Sequence, residues 1–229
     1  MRRRIETLDS LSIDRRDISQ RNELVSTKNL LKFGPIAALV FWLGVSACAL
    51  SLPDYQSVHQ TVSEIGEVGS PMRAPFTATL LTTAFSLMLF ALGLKRVASE
   101  RGHSSAGALF VAAMGLSAAG AGVFAYPHPL HNVFGMSELI GFQAPAFLAF
   151  TWRKDAQRSI VWFSWIMYGL VALADIANLS VLSPHGFLWT YERPFYGIVQ
   201  RALFATWFVW CGGVGILMRR STRDTLQRA

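Results

Sequence analysis

The sequence predicts an all-α membrane protein, a polytopic bundle of six transmembrane helices. Of its 229 residues, 52% are hydrophobic and only 15% are charged, whereas soluble domains carry about 25% charged residues. The mean hydropathy of +0.35 indicates the same class. The apolar residues also gather into six runs, each near the length of about 20 residues that a spanning helix needs.

Two longer connections, 53–74 and 183–195, alternate with shorter ones between the runs. The predicted spans are 34–52, 75–94, 105–126, 136–152, 160–182 and 196–218. The chain is thus divided into a basic, mixed-charge tail (1–33), a membrane domain (34–218) and a second basic tail (219–229). The first tail is expected to be disordered, with a short helix on the membrane surface as the alternative.

Small residues are frequent in the third span, GALFVAAMGLSAAGAGVFAY, and in the CGGVG stretch of the sixth. Such residues let helix backbones approach closely where lipid supplies no hydrophobic driving force. We therefore expect Gly115 and Ala119, and the glycines of CGGVG, to lie at helix interfaces.

Lys and Arg are distributed unevenly about the spans. All of the 21 except Arg73, Arg193 and Arg201 lie in the two tails or in the connections after the second and fourth spans. Because basic residues accumulate on the cytoplasmic side, both termini are predicted to be cytoplasmic, and a bacterial inner membrane is the expected location. The basic residues do not form an aromatic-interleaved face, so nucleic-acid binding is not indicated.

The first long connection contains a short amphipathic external segment between the first two spans. In PDYQSVHQTVSEIGEVGSP, His59, Ser63 and Glu67 are four residues apart, so on a helix they share one face. This face either turns toward a pocket or is the solvated side of an ordinary surface helix. The same three residue types resemble a nucleophilic triad, but no strained elbow or oxyanion-hole motif accompanies them, so a triad is not favoured.

Polar side chains within the apolar runs gather in the half of the bundle expected to face outward. A charge at the centre of a spanning helix costs about 2.5–3.5 kcal/mol, so such residues indicate a site or a buried pair. Asp175 and Arg201 are expected to pair with each other or with Glu138, or to bind a substrate. The predicted pocket residues are His59, Ser63, Glu64, Glu67, His131, Glu138, Asp175, Asn178 and Arg201.

The turn YPHPLHNVFG places two histidines, His128 and His131, three residues apart. Imidazoles at that spacing can bind one transition-metal ion such as zinc, with a carboxylate as a further ligand. No HExxH or similar signature is present, so hydrogen-bonded interfacial histidines are the favoured interpretation and the metal site is the alternative.

Two stretches carry a resemblance to a known family. HQTVSEIG after the first span, followed by a helix that contains ALGL and a basic turn, and the later GVFAYPHPLHNVFG resemble the uncharacterised membrane family 998 of the domains of unknown function. The likeness covers about residues 34–218 and implies a six-helix bundle. The matching positions are Ser63, Glu64, Gly66, Pro127 and His131, while His128 stands where an Asp-like residue is expected. The resemblance implies no established activity.

Three functions are consistent with these observations. The favoured one is binding or translocation of a hydrophobic or amphipathic small molecule through an outward-facing pocket. The second is an intramembrane enzyme, with or without a metal, that acts on lipid or prenyl-type substrates at the outer leaflet. The third is an accessory or scaffold protein whose buried polar residues fix helix register. Membrane lipids are the expected surroundings in each case, and a homo-oligomer is left open.

Overall fold

The computed structural model describes residues 26–228, and the regular elements in this part of the chain are helices. Six helical segments are long and apolar enough to cross a membrane, which confirms the predicted number of spans. They are Ser26–Leu50, Arg73–Glu100, Ala106–Val123, Pro129–Thr151, Arg158–Leu182 and Phe187–Ser221. The predicted disorder of the first tail falls mainly on residues 1–25, which lie outside the described residues.

The spans are built from eight α-helices. These are α1 (Phe33–Leu50), α2 (Arg73–Glu100), α3 (Ala106–Val123), α4 (Pro129–Gly141), α5 (Ala144–Thr151), α6 (Arg158–Asn178), α7 (Phe187–Glu192) and α8 (Tyr196–Arg228). Short 3-10 helices at Val62–Gly66, Leu179–Leu182 and Arg193–Phe195 precede or extend them. The fourth span therefore consists of two helices, α4 and α5, which meet at Phe142 and Gln143.

The fourth span begins at Pro129 and not at the predicted residue 136. Proline suits the first position of a helix because a backbone N–H at that position would have no partner within the helix, so nothing is lost by its absence. Just before it, His128 acts as the N-cap, and its Nδ1 accepts the Leu130 N–H at 3.1 Å. As a result His131, which was predicted to lie in a turn, is in the first turn of α4 and is buried.

The first long connection contains the short 3-10 helix Val62–Gly66. The predicted common face of His59, Ser63 and Glu67 would require a longer α-helix. His59 lies in the preceding turn and Glu67 follows the helix, so the expected common face with Ser63 is wrong. The cause is local, because the Glu64 carboxylate accepts the backbone N–H three residues earlier at 2.9 Å and so fixes where the helix begins.

The six spans form a closed ring in chain order, and the sixth span packs against the first. The connections 101–105 and 152–157 lie at the end where the first span begins and the last one finishes, called here the terminal end. The opposite end, the loop end, carries the connections 51–72, 124–128 and 183–186. At this end α4 packs mainly against α3, whereas α5, deeper in the same span, packs against both α3 and α6.

Small residues lie at close helix approaches, as predicted. A Cβ atom on Gly115 would lie 3.2 Å from the Ala84 carbonyl oxygen in α2, and one on Gly215 would lie 2.7 Å from the Leu31 carbonyl oxygen of the first span. Because a carbon atom in contact with a carbonyl oxygen normally lies about 3.3–3.6 Å from it, a larger residue at Gly215 would push the helices apart, and one at Gly115 would need a small local shift.

Two tryptophans fill the middle of the bundle. Trp207 and Trp210 on α8 are 0% exposed. Their indole N–H groups donate to the Gly141 carbonyl at 3.0 Å and to the Ser164 hydroxyl at 2.9 Å. A buried indole needs such a partner, and these two bonds tie α8 to the fourth and fifth spans.

A buried carboxylate joins the two connections at the terminal end. Asp155, only 4% exposed, accepts hydrogen bonds from Arg101 at 3.1 and 3.2 Å and lies 2.9 Å from His103 Nε2. The Gln157 N–H donates to it at 2.6 Å. Burial by itself raises the pKa of Asp155, but the Gln157 N–H and the Arg101 charge outweigh it and hold the pKa below its ordinary value.

Asp155→Asn is expected to lower the free energy of unfolding by about 1–3 kcal/mol, because Arg101 and His103 lose their charged acceptor. Because the pKa of Asp155 is lower in the folded protein than in the unfolded chain, its ionised form stabilises the fold at pH values above the ordinary Asp pKa of about 4. This stabilisation is lost as the pH falls through the lower pKa of the folded state. The thermal midpoint in detergent should therefore be lower than wild type at neutral pH and fall less on acidification. Asp54→Asn, at an exposed position, is the control, and equal midpoints for Asp155→Asn and wild type at neutral pH would contradict the account.

Candidate functional site

A cavity of about 470 Å³ lies within the ring of helices at the loop end, and all six spans contribute to its walls. The part that reaches the bundle centre is apolar and is lined by Phe41, Leu87 and Phe208. The polar wall residues are Thr61, Ser63, Glu64, Thr83, Tyr126, His131, Asn132, Glu138, Asn178, Tyr196 and Gln200. The volume falls in the range of about 300–1,000 Å³ that is usual for small-molecule sites.

Five of the nine predicted pocket residues line this cavity, namely Ser63, Glu64, His131, Glu138 and Asn178. The remaining four, His59, Glu67, Asp175 and Arg201, are not part of its wall. His59 and Glu67, which belong to the first connection, are exposed, and the His59 Nδ1 contacts the Pro194 carbonyl. The cavity therefore combines the 3-10 helix of the first connection with the loop-end halves of the spans.

Ser63 and His131 meet on the cavity wall. The Ser63 hydroxyl lies 2.9 Å from His131 Nε2. The other ring nitrogen, Nδ1, lies 3.0 Å from the Ala121 carbonyl oxygen and 2.8 Å from the Phe124 carbonyl oxygen. The contact joins the first connection to α4 and, through the two carbonyl groups, to the end of α3.

The Glu64 carboxylate is held by three donors. It accepts the Thr61 N–H at 2.9 Å and the Thr61 hydroxyl at 2.8 Å, and the Gln60 amide donates to its other oxygen at 3.1 Å. Glu64 therefore fixes the fold of the connection while it also lines the cavity.

Two buried or half-buried polar side chains on the cavity wall lack partners among the described residues. The buried Thr83 Oγ1 has no hydrogen-bond partner among the described residues, and in the same part of the chain the Glu138 carboxylate has no hydrogen bond or ion pair. Polar groups removed from water normally find a partner. Both side chains are therefore available to a molecule that occupies the cavity.

Arg201 holds the connection in place. Its Nη1 lies 2.9 Å from the Ser57 carbonyl oxygen, 2.8 Å from that of Gln60 and 2.9 Å from that of Gly197. Its Nη2 donates to the Tyr55 hydroxyl, which itself donates to the carbonyl oxygen of residue 61 at 2.6 Å. Burial raises the pKa of Tyr55, although the Arg201 charge opposes this, so this phenol remains a donor at neutral pH.

The expected ion pair of Arg201 with Asp175, or with Glu138, is wrong. Within the described residues the ion pairs involve Asp155 alone. Arg201 reaches backbone carbonyl groups because the connection folds over the start of α8. Asp175 is 8% exposed on α6, and its Oδ1 has no partner in the described part of the chain.

The cavity also contains polar residues outside the predicted set, namely Thr61, Thr83, Tyr126, Asn132, Tyr196 and Gln200. Gln200 Oε1 accepts the Val62 N–H at 2.7 Å and so helps to seat the 3-10 helix. In the sequence, a polar glutamine among the apolar residues of the sixth span indicates a candidate pocket residue. Thr83 gives no such signal, because threonine is common in helices that face lipid and its hydroxyl usually bonds within its own helix.

The histidine pair is divided between two environments. His128 is exposed and stacks on Phe124 with ring centroids 5.2 Å apart, whereas His131 is buried and bonded to Ser63. Among residues 26–228 no group of three or more His, Cys, Asp or Glu side chains is arranged to hold a metal ion. The metal site at His128 and His131 stays a prediction.

Six apolar spans in a ring around a cavity define the class of the molecule, a multi-pass helical membrane protein. The chain belongs to the family described as "Protein of unknown function (DUF998)", whose model matches residues 35–217. This match confirms the resemblance. No curated protein and no solved structure matches the chain.

Arg201→Gln is expected to loosen the connection, because its Ser57 and Gln60 carbonyl groups and its Tyr55 hydroxyl lose a charged donor that contributes about 1.5–3 kcal/mol per hydrogen bond. Backbone amides of residues 55–66 should exchange with deuterium at least about ten times faster than in wild type. Arg193→Gln, at an exposed position on the same end, is the control. Unchanged exchange over 55–66 in Arg201→Gln would show that the guanidinium does not hold the connection.

Proposed function

We propose that the cavity binds an amphipathic small molecule, with its polar part at the loop end and its apolar part toward the bundle centre. The observation that carries the proposal is the division of the cavity wall into these two zones. Ser63, His131 and Gln200 lie near the first connection. Leu87, by contrast, lies about 20 Å along α2 from its first residue at a rise of 1.5 Å per residue.

The apolar zone suits a hydrocarbon chain. Phe41 and Phe208 stack with ring centroids 4.6 Å apart and line the cavity together with Leu203 and Met114. Burial of a chain against such a wall is favourable by about 0.8 kcal/mol for each methylene group. A chain of eight to ten carbons, by this estimate, would supply roughly 6–8 kcal/mol before the costs of immobilisation.

A lateral entrance supports a ligand that comes from the lipid phase. The cavity-lining residues Met136 on α4 and Leu182 after α6 are 46% and 62% exposed, so the cavity wall reaches the outside between the fourth and fifth spans. At the same level α4 has little contact with α6, whereas α5 packs against it. A membrane-dissolved molecule can therefore enter without passing through water.

The charges of the wall favour a neutral or cationic polar group. Glu64 and Glu138 line the cavity, and no Lys or Arg is among the described residues that do so. An anionic group would lie beside two carboxyl groups without a basic partner, which is costly in a low-dielectric site. Hydroxyl and amine donors, in contrast, can bond to the free Glu138 carboxyl group. Translocation of the ligand stays a prediction from the sequence.

The preference for a neutral over an anionic polar group is tested on the purified protein by native mass spectrometry. The two probes, a 1-O-alkylglycerol and a fatty carboxylate, have equal chain lengths. We expect the alkylglycerol to bind at least about tenfold more tightly, and Glu138→Ala to weaken it by about five- to tenfold, in line with the loss of one buried hydrogen bond. Ala118→Trp, which fills the cavity, should abolish binding of the alkylglycerol.

The control for cavity filling lies on the same helix. Leu116 is 62% exposed on α3, away from the cavity, so Leu116→Trp adds an indole without occupying the site. Equal binding by the Ala118→Trp and Leu116→Trp proteins would sink the proposal. Tighter binding of the carboxylate would overturn its charge argument.

We also infer that the terminal end faces the cytoplasm and that the loop end faces the outside of a bacterial inner membrane. The bias of Lys and Arg toward the terminal end supports this orientation. In intact cells, a membrane-impermeant maleimide should label Val68→Cys, in the first connection, and not Ala156→Cys, in the connection 152–157. Both positions are exposed, and the native Cys48 and Cys211 are buried. The reverse labelling pattern would show the opposite orientation.

A further inference from the structure

The backbone carbonyl groups beside His131 fix the tautomer of its neutral imidazole ring. His131 Nδ1 faces two carbonyl oxygens, at 3.0 and 2.8 Å, and carbonyl oxygens only accept hydrogen bonds. The Nδ1 must therefore carry a hydrogen. In the neutral ring, Nε2 is then the acceptor, and it takes the hydrogen bond from the Ser63 hydroxyl at 2.9 Å.

This arrangement has the parts of an activated nucleophile. A serine hydroxyl is bonded to a basic ring nitrogen, and the opposite ring nitrogen is oriented by fixed acceptors. In serine hydrolases a carboxylate usually serves as that orienting group, whereas here the backbone carbonyl groups of Ala121 and Phe124 occupy its place. Both Ser63 and His131 line the cavity, so a bound molecule can reach the hydroxyl.

We propose that Ser63 is a catalytic nucleophile and His131 its general base, in an acyl-transfer or hydrolysis reaction on an amphipathic carboxylic ester. The inference rests on the proposed binding function, because the ester must occupy the same cavity. Its preferred substrate class is a neutral or cationic ester with one hydrocarbon chain, as the wall charges require. Monoacylglycerols are the simplest members of this class.

The reaction balances with one co-reactant, which is water in hydrolysis and a second alcohol in acyl transfer. Ser63 Oγ forms a bond to the ester carbonyl carbon as its proton moves to His131 Nε2, and the carbonyl π electrons move to the oxygen. The carbon–oxygen bond to the alcohol then breaks, and the leaving oxygen takes the proton from His131. Water, or a second alcohol, next attacks the acyl-serine, gives its proton to His131, and releases the acyl product as Ser63 Oγ recovers that proton.

Neutral donors on the cavity wall are suited to the developing negative charge. The Thr83 hydroxyl lacks a partner among the described residues. The Gln200 amide uses its oxygen for the Val62 N–H, so its NH₂ group is directed by that bond and remains a donor. Stabilisation of an oxyanion by such donors contributes about 10²–10³-fold to rate in known enzymes.

The test uses a long-chain alkyl fluorophosphonate with the purified full-length protein in lipid nanodiscs. Attack by Ser63 would form an oxygen–phosphorus bond and release fluoride, and peptide mass spectrometry would locate the adduct. We expect labelling at Ser63, none in Ser63→Ala, and a rate at least about 100-fold lower in His131→Gln. The glutamine amide can still accept the Ser63 hydrogen bond but cannot take up the proton, so a merely structural contact predicts an unchanged rate.

A neighbouring serine provides the matched control. Ser137 on α4 bonds to Ser117 at 2.7 Å and to a backbone carbonyl group, with no histidine beside it. Ser137→Ala should therefore label as wild type does. Release of fatty acid from monoacylglycerol should show the same order of variants, with wild type and Ser137→Ala active and Ser63→Ala inactive.

Failure of this inference is distinguishable from failure of the binding proposal. If the alkylglycerol ether binds but Ser63 is not labelled and the ester is not cleaved, the nucleophile assignment is overturned and the binding function stands. Labelling that is equally fast in His131→Gln would overturn the role of His131. If neither the ether nor the fluorophosphonate enters the cavity, both proposals fall.

Discussion

The guanidinium of Arg201 must be satisfied inside the protein, because it belongs to a helix that is otherwise built to cross a membrane. A charge without partners there costs about 2.5–3.5 kcal/mol or more. The first connection supplies the partners, with the carbonyl groups of Ser57 and Gln60 and the hydroxyl of Tyr55. Most of the loop end follows from this requirement, since the chain must fold back over the sixth span before it can enter the second.

Once residues 55–61 of the connection are held there, the 3-10 helix that comes next in the same connection lies at the mouth of the ring. Gln200, the residue before Arg201, accepts the Val62 N–H with its side-chain oxygen. The next residue of the 3-10 helix, Ser63, contacts His131 on α4. The connection is thus part of the cavity wall and not a cover laid over a finished site. A change at Arg201 should therefore affect the cavity even though its side chain is outside the wall.

The two ends of the bundle use their polar residues differently. At the terminal end Asp155 is saturated by Arg101, His103 and Gln157, which closes that end around a buried ion cluster. At the loop end, Glu138 and Thr83 keep unused hydrogen-bonding capacity on the wall of a cavity. Buried polar networks stabilise when every member is satisfied. The terminal end also holds the buried Arg219 Nε without a hydrogen-bond partner among the described residues, so the loop end is distinguished by unpartnered groups that line a cavity.

Sequence reasoning predicted the spans because length and hydropathy control membrane insertion, and it predicted the close packing at Gly115. It identified Glu138 and Asn178 because polar groups stand out against apolar runs. It did not find the Asp155 cluster, because Arg101 was already explained as one of the basic residues that mark the cytoplasmic side of the membrane. It also misplaced His131, because a Pro-rich start of a helix looks like a turn until its cap is seen. Partners such as Ser63 and His131 are 68 positions apart, and only the fold brings them together.

The central claim is that the loop-end cavity is the binding site of an amphipathic molecule. The most direct measurement is an experimental structure of the protein extracted with its surrounding native membrane into polymer-bounded discs, without detergent. The account predicts elongated density in the cavity, with one end among Ser63, His131 and Glu138 and the other against Phe41 and Phe208. A cavity that is collapsed, or that holds only separate water molecules while the spans keep this arrangement, would contradict it.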